Sequence, residues 1–280
     1  MTIFITLVLA LLIEHIFWNA STWRQGDWFA AYYQKVISAP SLARFSDHLS
    51  HSGWLLGPLV LCVSICQFIL LPGLGSLIEW LFGLGALLFS MGPRNLGRDL
   101  EDYLQAKSTN QAQQAHQIAQ YFGAHQTDSD ARVKQGLLVQ TSQSLIGPML
   151  SFMLLGATGA VLFRAVQYLA QMHSASQPNA RLTRSSQVLS YWVSWLPARM
   201  TLLGYAAVGH FEAVVSTWQQ QERASRTTQD HTALLIATGQ AALTGNMATG
   251  RASIIAHATL VKRTIVLWVS IAAVVALASL

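Results

Sequence analysis

The chain has 280 residues, 52% of them hydrophobic and only 10% charged, with a net charge of +5. A soluble domain carries roughly a quarter charged residues, so this composition, with a mean hydropathy of +0.37, excludes an ordinary water-soluble globule. The basic excess suits anionic lipid headgroups, and no basic run interleaved with aromatics points to nucleic acid.

A bilayer core takes about 20 mainly apolar residues per helix. The candidate spans are 1–18, 53–71, 74–92, 145–170, 198–215 and 264–280, with soluble helical loops at about 93–143 and 216–262. The expected class is an all-α integral membrane protein: one polytopic domain over residues 1–280, a helical bundle of four to six membrane helices plus cytoplasmic helical loops.

The opening "MTIFITLVLALLIEHIFW" has the apolar run of a signal sequence, but no basic leader and no small-residue cleavage site. It is expected to stay attached, as a span or as an interfacial helix with Glu14 and His15 at headgroup level. Pro72-Gly73 breaks the next apolar run into a tight helical hairpin. Cys62 and Cys66 lie one turn apart in its first arm and read as small buried hydrophobes. Glu79, near the start of the second arm, reaches the interface.

"GPRNLGRDLEDYLQA", 92–106, starts a new helix with Arg94 and Arg98 about one turn apart. Like charges at that spacing repel mildly. Two accounts fit: Arg98 pairs with Glu101 and Asp102, or an anionic headgroup or ligand bridges the arginines. The Gln/Ala-rich stretch beyond should be helical.

In "GATGAVLFRAVQYLA" Arg164 lies past the middle of the span 145–170. An ionisable group at membrane depth costs roughly 2.5 kcal/mol or more, so it either snorkels toward 171–187 or faces a partner. Gly156, Ala157, Gly159 and Ala160 offer a close helix–helix contact. Residues 173–187 read as a loop. In "WLPARMTLLGYAAVGHFEAVV", 195–215, Pro197 suits a helix start, and Arg199 and His210, eleven residues apart, share nearly one helical face. Glu212 lies on another. "GNMATGRAS", 245–253, has P-loop spacing but lacks the lysine, the hydroxyl residue and a preceding strand.

Charge bias bears on topology. If 198–215 crosses the bilayer, only Arg181 and Arg184 fall on the outer side. The positive-inside rule then favours six spans, with both termini outside and the loops 19–52, 93–143 and 216–262 in the cytoplasm. The alternative has four firm spans, with 1–18 and 186–215 interfacial.

"MTIFITLVLALLIEHIF", "GPRNLGRDLEDYLQA", "GATGAVLFRAVQYL" and "WLPARMTLLGYAAVGHFEA", in that order, resemble the AmpE family. That resemblance implies a multi-pass protein of the bacterial inner membrane, a signalling modulator of β-lactamase induction. AmpE is similar in turn to the CbiB/CobD cobalamin-biosynthesis proteins, membrane enzymes that form an amide. "GATGAVLFRAV" and "WLPARMTLL" look like segments of those synthases. Their acidic "ENxxD" is absent: counting back from Pro148, the corresponding positions hold Val139, Gln140 and Gln143. "QYLA", 167–170, likewise stands where they carry "NTLD". The resemblance therefore implies a scaffold that kept its basic residues and lost the carboxylates of a metal-assisted reaction.

The expected site is an anion-binding one formed by Arg164, Arg199, His210, Arg94 and Arg98, with no catalytic residue, cofactor or metal. The expected partners are the lipid bilayer, an anionic small molecule, and a soluble or membrane protein. An active amide-forming synthase is the alternative reading.

Overall fold

A computed structural model describes residues 2–16, 29, 31–32, 34–35, 50–70, 73, 75–92, 95–123, 129–175, 180–224, 231–245 and 249–278. Among these residues the regular elements are helices: α1 (Thr2–Ile16), α2 (Ser50–Ile65, continuing as a π turn, Cys66–Leu70), α3 (Ser76–Ser90), α4 (Leu96–Ser108), α5 (Ala112–Tyr121), α6 (Ser129–Thr141, followed by a π turn, Ser142–Ile146), α7 (Gly147–Ala175), α8 (Ala180–Val208), α9 (Phe211–Ala224), α10 (His231–Ala241) and α11 (Gly250–Ala278). Two helical runs, Asp130–Gln171 and Gly250–Ala278, are long and apolar enough to cross a membrane; Ile3–Glu14, Leu55–Ile69 and Ser76–Ser90 are apolar but shorter.

The chain forms two compact units. One comprises Met1–Pro93 with Gly147–Leu196, the other Arg94–Ile146 with Pro197–Leu280. The crossings between them fall between Pro93 and Arg94, between Ile146 and Gly147 at the end of the π turn 142–146, and between Leu196 and Pro197, where a proline inside α8 removes a helical hydrogen bond.

In the first unit α2 and α3 each pack on α7, and α1 packs on α3. Its core gathers Phe29, Leu55, Leu56, Val166, Tyr168 and Leu169. Outside that core Phe68, Ile69, Leu77 and Leu154 are each about two-thirds exposed, the reverse of a water-facing surface. Cys62 is exposed on this outer side and Cys66 half-buried, so the buried role expected for the pair does not hold for Cys62.

In the second unit α4 packs on α5, α9 on α10, and α6 on both α10 and α11. The Gln/Ala-rich stretch is helical, as its composition indicates. Tyr205 is fully buried and donates its hydroxyl to the Leu138 carbonyl at 2.9 Å, tying α8 to α6. Asn95 caps α4, its side chain accepting from the Gly97 and Arg98 amides.

Four elements differ from the sequence expectation. The run 198–215 is not one helix: α8 ends at Val208, and α9 begins at Phe211. The cause is a close approach at Gly209, where a Cβ would sit 2.7 Å from the Ala242 carbonyl oxygen, beside a hydrogen bond from the His210 amide to that oxygen at 2.9 Å. Pro197 lies inside α8 and not at its start, with the Thr201 hydroxyl donating to its carbonyl. Residues 180–187 of the expected loop are helical, because their Ala, Arg and Leu favour helix despite the polar setting. The last helix starts at Gly250 and so takes in "RASIIAHATLVKR".

The expected small-residue stripe also has a different role. α7 is broken at Gly156, whose φ of 66° and ψ of −149° are accessible essentially to glycine alone. Gln67, carried on the π turn after α2, fills the break. Its Oε1 accepts from the Thr158 amide at 2.9 Å and the Thr158 hydroxyl at 3.0 Å, and its Nε2 donates to the Leu155 carbonyl at 3.4 Å. The side-chain amide thus satisfies backbone groups on both sides of the break, which a lipid environment would otherwise leave unpaired. Pro72 lies outside the described residues.

Candidate functional site

Arg164 is 3% exposed, in the half of α7 that follows the break. It does not snorkel. Its guanidinium carbon lies 4.3 Å above the ring of Tyr168, one turn further on, and Nη2 donates to the tyrosine hydroxyl at 3.2 Å. Tyr168 in turn stacks on Phe29, with ring centroids 5.8 Å apart. The aromatic face disperses part of the charge, an effect of about 2 kcal/mol when desolvated. Nε has no hydrogen-bond partner, and no carboxylate pairs with the group among the described residues. Beside it Gln167, the first residue of "QYLA", donates to the Ser194 hydroxyl at 2.7 Å.

Arg199 belongs to the second unit. Its side chain is 15% exposed and sits 3.6 Å from Glu222 of α9, so a carboxylate of the chain already accompanies it. His210 is outside α8, because the helix ends at Val208, and the shared face with Arg199 is lost. The imidazole Nδ1 accepts from the Ala213 amide at 3.4 Å, so His210 acts as the N-terminal cap of α9 and is otherwise exposed. Arg98 is exposed on α4, and Arg94 lies outside the described residues. Arg164 and Arg199 fall in separate units, and each is described by its own surroundings.

Residues 1–280, the whole chain, match the family described as "Regulatory signalling modulator protein AmpE". The chain belongs to the AmpE family. No curated protein and no solved structure matches it. The family assignment gives this AmpE protein a signalling-modulator role, and its two long apolar helices fit a membrane protein. The likeness to the cobalamin synthases rests only on the segments quoted above.

Sequence reasoning missed three groups in this AmpE chain. Gln67 gave no signal, since a single glutamine in an apolar run has many possible partners. Lys134 of α6 reaches the Ser253 hydroxyl of α11 at 3.4 Å, and the His257 Nδ1 lies 2.8 Å from the Ser253 carbonyl, so that nitrogen carries the proton. His257 is 7% exposed and its Nε2 has no partner among the described residues. Asp130, at the polar start of α6, takes hydrogen bonds from Lys107 and from Tyr103 at 2.6 Å. Burial pushes its carboxyl up, but those bonds and the Lys107 and Lys134 charges prevail, holding it below the usual carboxylate range. No group of three or more potential metal-ligating His, Cys, Asp or Glu side chains occurs among the described residues.

Proposed function

We propose that this AmpE protein is a non-enzymatic, multi-pass signalling modulator of the bacterial inner membrane, linked to β-lactamase induction and cell-wall stress, and that it senses an anionic ligand through Arg164. The supporting observation is an arginine residue only 3% exposed, with an unpartnered Nε and no carboxylate paired with it among the described residues. A buried charge is ordinarily balanced by a partner, and a ligand carboxylate or phosphate supplies one. Arg199 fits the same role less directly, since a ligand there would compete with Glu222.

The test replaces Arg164 with Met, which keeps the volume and removes the charge. β-Lactamase inducibility should fall while the membrane fraction retains normal amounts of protein. Unchanged inducibility at normal levels refutes the ligand role, and recovery of the chain in the soluble fraction refutes the membrane assignment.

A further inference from the structure

Within the second unit a cavity of about 350 Å³ lies where the C-terminal ends of α8 and α10 meet one face of α11. The volume is at the lower end of the roughly 300–1,000 Å³ typical of small-ligand sites. Val208 and Gly209 come from the first helix end, Ala242 and Thr244 from the second, and Thr259 and Arg263 from α11. The His210 amide bond to the Ala242 carbonyl fixes the two ends against each other, so the floor is built in and not a gap between loose loops.

The chemistry of the lining has two parts. Arg263 is a cation with no carboxylate paired to it among the described residues. The carbonyls ending α10 already accept from the Ala242, Leu243, Thr244 and His210 amides, whereas the last carbonyls of α8, beyond Tyr205, have no helical partner and call for hydrogen-bond donors. A suitable ligand brings an anion for the guanidinium and O–H or N–H groups for the carbonyls. Position narrows the class. Arg263 and the neighbouring Lys262 are both exposed and immediately precede the apolar stretch 264–278 of α11, so they fall at the depth of lipid phosphates.

We propose that this cavity binds the headgroup of a bilayer glycerophospholipid whose phosphate is held by Arg263 and whose headgroup hydroxyls meet the carbonyls at the end of α8. The proposal rests on the reading that α11 crosses the bilayer, and it assigns a second site, independent of Arg164.

Purified full-length protein in detergent would be titrated with phosphatidylglycerol, phosphatidylcholine or glycerol phosphate, and bound molecules counted by native mass spectrometry. Phosphatidylglycerol should be retained over phosphatidylcholine, which has no headgroup donors. Arg263→Gln should weaken phosphatidylglycerol binding about tenfold or more, as expected for loss of a charge-assisted hydrogen bond. Lys262→Gln, outside the cavity, should change it less than about threefold. Ala256 of α11 also lines the cavity, and Ala256→Phe, which fills the space without altering charge, should abolish retention as well. Equal losses in Arg263→Gln and Lys262→Gln would reduce the effect to surface electrostatics and overturn the site. Glycerol phosphate binding as tightly as the lipid would overturn the lipid assignment. Membrane fractionation of the same preparation tests the spanning reading separately, and an Arg164→Met chain should bind the lipid normally.

Discussion

Replacing Gly156 with Ala perturbs the break in α7 in two separable ways. An L-residue at φ 66° and ψ −149° is strained by roughly 1–3 kcal/mol. The new Cβ would also lie 2.5 Å from the Gln67 Nε2 and 3.1 Å from its Cδ, so Gln67 must leave the break. Its departure removes two acceptor contacts to Thr158 and leaves that amide without its partner, a further cost of about 1–3 kcal/mol. Made in a Gln67→Ala background, the same glycine substitution should cost only the backbone strain, because the side chain it would expel is already gone. A double-mutant cycle should therefore return a coupling of about 1–3 kcal/mol, with the double variant less damaged than the sum of the singles. Reversible unfolding in mixed detergent micelles, followed by loss of helical circular dichroism, measures it. Additivity to within about 0.5 kcal/mol would refute the role given to Gln67.

Gly209→Val should destabilise the second unit by about 1–3 kcal/mol, because its Cβ would overlap the Ala242 backbone, and the same unfolding assay reads it. Tyr205→Phe should cost about 1–2 kcal/mol by leaving the buried Leu138 carbonyl without its donor; a neutral result would place water on that oxygen. Asp130 contributes stability that is complete above the unfolded carboxylate range, near pH 4, and is lost as pH falls through its lowered folded value. The side chain is 30% exposed and solvent screens the pair, so Asp130→Asn should cost no more than about 1 kcal/mol at pH 6. That difference from the parent should shrink toward zero as unfolding is repeated at lower pH.

Composition alone pointed to a membrane protein, because so few charges cannot cover a water-exposed surface, and the apolar runs located α1, α2, α3, α7 and the end of α11. Order and motif content located the family. Arg164 was legible as a singular residue because a cation within an apolar run has few bland explanations. Its fate, buried on Tyr168 one turn away instead of snorkelling, depended on packing from Phe29, far earlier in the chain, which stacks on that tyrosine. The pairing of Arg199 with Glu222 and the capping role of His210 followed from a helix break at Gly209 that local periodicity does not encode. Gly209 looks like any small residue in a span until Ala242 arrives beside it. Gly156 likewise resembles a packing glycine until Gln67, some ninety residues earlier, supplies the hydrogen bonds that let the helix open. Hydrophobic pattern is a local, additive property and can be read from the sequence, whereas satisfying each buried polar group takes partners that only the folded chain brings together.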